Sequence, residues 1–327
     1  MITAPFHAEA MARLRFAISP MIELVTSLKA LEDAATETLH LPWAQEAREQ
    51  TADLDLSALN ALSGSNRYNP DFIHPLPTGP TLDFECGLAA MLAMPAELIE
   101  SEVRFAYREH PLPAVLEPFL ENPRAAVRGL SELMASYWER ALSPHWQRVR
   151  SLLEQDVQYR ARQIADGGTR RLFADLHDAV RWDDGVLYID QCDDATLDLD
   201  ERGLLLIPSA FRQSKVMVVS APRWQPTLIY PARGVGMLWE PAPAAPPDAL
   251  AKLVGRNRAA LLLALDFPRS TGQLAEVVGV SNGGVSQQLS ILADAGLVRR
   301  RRVARHVLYL RSLDGDALVE AATRAAA

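Results

Sequence analysis

A chain of 327 residues, 49% hydrophobic and 23% charged, has material for two packed domains, and this composition excludes a wholly disordered chain. Its formal net charge of −8 is unevenly divided. Residues 249–327 hold 11 basic against 6 acidic residues and residues 1–248 hold 22 against 35, so one end is suited to face nucleic acid. No run approaches 18 apolar residues, no basic-then-apolar leader opens the chain, and Cys86 and Cys192 form no C-x-x-C pair; we expect a cytoplasmic protein in a reducing compartment, with no membrane partner.

From about Pro20 to Val180 the apolar spacing predicts helices in MIELVTSLKALED, PAELIESEVRFAY, PRAAVRGLSELMASYWERAL and PHWQRVRSLLEQDVQYRARQIAD. Several begin near a proline, whose missing N–H costs nothing in a first turn. In the last of them Val149, Leu152, Leu153, Val157 and Ile164 suit one apolar face, and Gly167–Gly168 ends it. From about Trp182 to Trp239, short aliphatic runs alternate with turn residues (GVLYIDQ, ATLDLD, GLLLIPSAF, KVMVVSA, PTLIYPA), which predicts a small, mainly antiparallel sheet. Residues 1–240 thus read as one α+β domain, helical over 1–180 and sheet-rich over 181–240. The proline-rich stretch EPAPAAPPD that follows makes 241–248 a semi-rigid linker to a domain at 249–327.

In that last domain, LAKLVGRNRAALLLALD predicts one buried helix, with Leu250, Leu253, Val254, Leu261, Leu262 and Leu265 as its apolar residues, broken at Pro268. Ser270 or Thr271 then caps a short helix over GQLAEVVG, Gly279 supplies a left-handed turn, and Ser281 caps a third helix that ends before Gly296. On the third helix Val285, Leu289 and Leu292 share one side, while Asn282, Gly283, Ser286, Gln287 and Ser290 share the other. Short polar side chains fit base edges in a major groove, whereas an amphipathic helix with a solvated face has the same pattern. RRRRVARHVLYL predicts a hairpin around Val303–Ala304, with Val307 and Tyr309 inward and a basic outer edge. Nearly every basic residue here is arginine, so an arginine run alone says little. Directly after a polar-faced helix it reads as a wing that neutralises phosphates.

The residues Ser281-Asn282-Gly283-Gly284-Val285-Ser286-Gln287-Gln288-Leu289, continued by Leu292-x-Asp294-Ala295-Gly296-Leu297-Val298, resemble the winged helix-turn-helix of the ArsR/SmtB family of bacterial repressors. The family pattern is S-x-x-x-V-S-x-H-L, then L-x-x-A-G-L-V; here Gln288 stands at its histidine and Ala304 at its wing glycine. RFAISPMIELVTSLKAL, HLPW and PTLIYPARGVGMLWE resemble a group of large, mainly actinobacterial members with an N-terminal domain of unestablished function. The resemblance implies a homodimeric regulator, a repressor by family habit, that binds double-stranded operator DNA and responds to a small-molecule effector that the sequence does not identify. On this reading Ser281, Asn282, Gly283, Ser286, Gln287 and Ser290 meet base edges or groove floor. Thr271 and Gln273 meet phosphate, and Arg299, Arg301, Arg302 and Arg305 serve the wing.

The family's thiolate metal site needs paired cysteines, and residues 249–327 contain none. The seven histidines form no H-x-x-x-H spacing, and Gly234-Val235-Gly236 lacks the third glycine of a dinucleotide loop. With no G-x-S-x-G and no Walker A motif either, no cofactor, metal or catalytic residue is expected, and the chain reads as a non-enzyme. The alternative is an enzyme or scaffold that uses the winged helix only to dimerise. Aromatics such as Trp138, Trp182, Trp224 and Trp239 serve equally as core or as the lining of an effector pocket.

Overall fold

Where the sequence places proline at a first turn or apolar residues at helical spacing, the chain is helical. The computed structural model describes residues 1–32, 38–63, 68–191, 194–199, 202–212, 215–239, 248–265, 268–303 and 306–324. It divides into two units, Met1–Trp239 and Glu240–Ala327. The fold is α+β, with small mixed sheets beside the helices of the N-terminal unit and a second, separate α+β unit at the C-terminus.

The helices of the N-terminal unit are α1 (Ala8–Ala12), α2 (Pro20–Glu32), α3 (Leu41–Gln50), α4 (Ser57–Ser63), α5 (Phe84–Leu92), α6 (Ala96–Ala106), α7 (Pro118–Glu121), α8 (Pro123–Tyr137) and α9 (Trp146–Ala174). Helix α2 is buried along almost its whole length, and Met21, Leu24 and Leu28 share a core with Trp43, Phe72 and Tyr137. Helix α5 crosses it so closely that a Cβ at Gly87 would lie 2.4 Å from Met21 Cγ. In α9 the helical path breaks at Gly167 and Gly168, where φ reaches 67°, as the glycine pair predicts. Its buried face, however, runs through Val149, Leu153, Asp156 and Arg160, and Val157 and Ile164 are only half-buried. The polar pair displaces the expected apolar stripe because it is bonded: Asp156 accepts from the Tyr230 hydroxyl at 2.7 Å, and Arg160 donates to Asp175 at 2.5 Å.

The expectation of one mainly antiparallel sheet confined to 181–240 is corrected. The strands β1 (Ile2–Pro5), β2 (Arg15–Phe16), β3 (Val180–Asp183), β4 (Val186–Ile189), β5 (Ala195–Thr196), β6 (Leu205–Ser209), β7 (Met217–Val219) and β8 (Thr227–Pro231) form two sheets, ordered β3-β4-β1-β5 and β2-β6-β8-β7. Pairings β1–β5, β2–β6 and β6–β8 are parallel. Two strands come from the first 16 residues, so 1–180 is not purely helical. Strand order is set by pairing over nearly the full unit, as in Ile2↔Ile189, which short aliphatic runs do not encode.

Several polar groups are sealed inside this unit. Burial pushes the Glu23 carboxyl up to about 8, although Ser209 and the amides of Ala210 and Phe211 bond to it. His40, pushed down to about 4 by burial, accepts the Trp239 indole N–H at Nδ1 (2.8 Å) and stacks on Phe211. Trp239, Trp138, Tyr137 and Tyr230 all pack within the two large cores.

The C-terminal unit comprises α10 (Asp248–Val254), α11 (Arg256–Ala264), β9 (Arg269–Ser270), α12 (Thr271–Val278), α13 (Asn282–Asp294), β10 (Val298–Val303), β11 (His306–Arg311) and α14 (Leu313–Arg324). The single first helix expected from the sequence is two, because Gly255 adopts φ 88° between them. Leu253 consequently lies outside the core, 69% exposed. Helix α14, which the sequence reading did not anticipate, packs Leu318 and Val319 beside Leu250 and Ala259. The expected linker at 241–248 lies outside the described residues except for Asp248. Among the described residues no helix is long and apolar enough to cross a membrane.

Candidate nucleic-acid interface

The geometry of this unit starts from local capping. Ser270 Oγ accepts the Gln273 amide (3.3 Å) while Gln273 Oε1 accepts the Ser270 amide (2.8 Å), a reciprocal box that starts α12. Gln273, read from the sequence as a phosphate contact, thus has its side-chain oxygen committed to the cap, and Thr271 is half-buried beside it. Gly279 closes α12 at φ 71°, and the amides of Gly279 and Val280 both reach the Ala275 carbonyl. Ser281 Oγ then accepts the Gly284 amide at 3.3 Å and starts α13.

Helix α13 is divided cleanly between two environments. Val285, Leu289 and Leu292 are buried against Leu261, Leu262, Leu265 and Leu274. Ser281, Asn282, Gly283, Ser286, Gln287 and Ser290 are all exposed and lie together along the opposite face. The start of α12 reaches this face, since a Cβ at Gly272 would lie 4.0 Å from Asn282 Oδ1. The two glycines differ in role: a Cβ at Gly284 would lie 2.9 Å from Val280 Cγ1, whereas Gly283 has open space around it. Gly284 therefore permits the tight turn, and Gly283 leaves the helix start unobstructed. Gln288 is held by α11, accepting from Arg258 at 2.8 Å.

Residues 253–301 match the family model of a helix-turn-helix domain. A second model, described as a family of unknown function (DUF5937), matches residues 95–236. No curated protein and no solved structure matches the chain.

Next to the helix-turn-helix domain, β10 and β11 form the expected hairpin, in register from Val298↔Arg311 to Val303↔His306. A third strand, β9, pairs Ser270 with Leu308 and ties the hairpin to the start of α12. Val307 is 39% exposed and Leu308 3% exposed, which reverses part of the inward set expected from alternation; Tyr309 does pack on the core. Val307, opposite Arg302 near the hairpin tip, extends past the helices, and Leu308 is covered where the third strand joins. Arg299, Arg300 and Arg301 are exposed, with no hydrogen-bond or ion-pair partner among the described residues. By register Arg299 and Arg301 share one face of the hairpin and Arg300 the other, so Arg300 belongs with the arginines singled out from the sequence. Arg302 lies on β10 opposite Val307, and Arg305 lies outside the described residues.

Arg258 was missed by sequence reasoning. Its link to α13 depends on the break at Gly255, which redirects α11 and carries no periodic signal. Among the described residues no group of three or more His, Cys, Asp or Glu side chains is placed to hold a metal ion.

Proposed function

We propose that the chain is a sequence-specific regulator of transcription whose C-terminal unit reads double-stranded DNA, in the manner of an ArsR-type repressor without the thiolate metal site. One observation carries this reading: α13 presents a continuous exposed polar face beside a hairpin whose Arg299, Arg300 and Arg301 are exposed and without partners. Short polar groups on a capped helix suit major-groove edges, and unpartnered arginines suit phosphates. The larger, net-acidic N-terminal unit is read as the part that dimerises or senses an effector, and the protein as a non-enzyme.

The homodimer is supported by α10 and α14. They pack on each other through Leu250 and Ala322 but leave Leu253 and Leu313 exposed, at 69% and 79%. A Leu253→Glu, Leu313→Glu double variant is expected to sediment as a smaller species than wild type. The DNA reading is tested by gel shift of the full chain on the duplex upstream of its own gene, against excess random duplex and over a salt series. Binding that resists the competitor and weakens steeply with salt is expected. Equal affinity for both duplexes overturns the reading.

A further inference from the structure

We propose that the cleft between the start of α11 and the second turn of α13 is a further docking surface for the phosphates of duplex DNA, with Arg256 as its free charge. This rests on the DNA-binding reading and adds a contact that neither the hairpin nor the polar face supplies.

Gly255 turns the chain so that Arg256, Asn257 and Arg258 face α13 across an open cleft of about 240 Å³, also lined by Gln288. Arg258 forms its fixed wall. Its Nε donates to the Val254 carbonyl at 2.5 Å and its Nη1 to Gln288 Oε1 at 2.8 Å, and a Cβ at residue 255 would come within 3.2 Å of its other nitrogen. Neither acceptor is charged, and among the described residues Arg258 has no ion pair, so its full positive charge stays in the cleft. Arg256 and Asn257 are exposed, with no side-chain partner among the described residues. No carboxylate lines the cleft. Two guanidinium groups and an amide around one open space favour a phosphate.

Continuity decides which phosphate. Gln288 adjoins Gln287 in the chain, so the cleft borders the exposed face of α13 and is reached by the same duplex. The hairpin arginines belong to a different edge of the unit, so the cleft adds its own anchor and constrains the angle at which α13 lies.

The test is fluorescence anisotropy of the full-length protein on its own upstream duplex and on random duplex, from 50 to 200 mM salt, comparing wild type with Arg256→Gln, Arg256→Lys and Asn257→Asp. Removing one phosphate contact lowers the slope of log affinity against log salt by about 0.9, so the ratio of wild-type to Arg256→Gln affinity shrinks about 3.5-fold across that range. We expect that change on both duplexes, recovery in Arg256→Lys, and weaker binding in Asn257→Asp, which places a carboxylate in the cleft. A wild-type slope and affinity in Arg256→Gln overturn the proposal, as does a loss confined to the upstream duplex, which would make Arg256 a base reader. If the wild-type protein binds neither duplex, the DNA reading fails and the cleft with it.

Discussion

The two units place their polar residues in opposite ways. The N-terminal unit buries Glu23, His40, Asp71, His74, Glu102, Asp156 and Arg160, whereas Ser312 is the only fully buried polar residue of the C-terminal unit among those described. In the first, polar groups are bonded to one another and hold α2, α9 and the sheets in register. In the second, an apolar core of Leu262, Leu274, Val285 and Leu289 carries the fold, and polar groups remain on the surface, available to a partner. The contrast teaches that the larger unit is stabilised by groups whose charge state matters. The smaller one is stabilised by packing and recognises through what packing leaves over.

Leu289→Ala tests the packing half most severely. A fully buried leucine lost from a small core costs about 2–5 kcal/mol, and this unit has little else to hold α13. All six tryptophans lie in the N-terminal unit, so urea unfolding should show an earlier far-UV circular dichroism transition with unchanged tryptophan fluorescence. A shift in both signals would mean that the two units do not divide the work in this way.

Glu23 tests the other half through pH. Its ordinary value is 4.5 and burial raises it to about 8, so the folded state holds its proton where the unfolded chain loses it. That stability is fully present below pH 4.5 and is lost as pH rises through 8. His40 acts with the opposite sign between 4 and 6.5, which leaves the span from 6.5 to 8 to Glu23. Over that span the tryptophan-detected stability should fall by about 2 kcal/mol. Glu23→Gln keeps the shape and should flatten the profile; an unchanged profile in that variant would show that another group carries the pH dependence.

Ser281→Ala removes only a cap and should lower the stability of the C-terminal unit by about 1 kcal/mol in the same urea experiment. A wild-type midpoint would indicate that α13 is held by its apolar face alone.

The C-terminal unit was the more legible in sequence because its instructions are local. Ser270, Gly279, Ser281 and Gly296 punctuate the helices, and Val285, Leu289 and Leu292 repeat at helical spacing within a few residues. What escaped there was either a single backbone event, the turn at Gly255, or a packing choice between adjacent residues, Leu308 over Val307. The N-terminal unit hides more, since β1 and β2 acquire their meaning only from partners such as Ile189 and Leu205, nearly 190 residues away. Asp156 and Arg160 likewise look like surface residues until Tyr230 and Asp175 are brought to them. The exposed face of α13 was legible to the residue. The cleft beside Arg258 was not, because it exists only once two helices meet.

The smallest expected effect on stability accompanies the sharpest test of function. Gln287→Ala touches an exposed side chain and should leave unfolding within about 0.5 kcal/mol of wild type. Selecting preferred sequences from a random duplex pool with wild type and with this variant examines the polar face of α13 directly. If that face reads bases, the variant loses preference at one position in each half-site, by about 1–3 kcal/mol, and keeps the rest. Identical selected sequences from both proteins, at equal affinity, would contradict the claim that α13 reads the DNA.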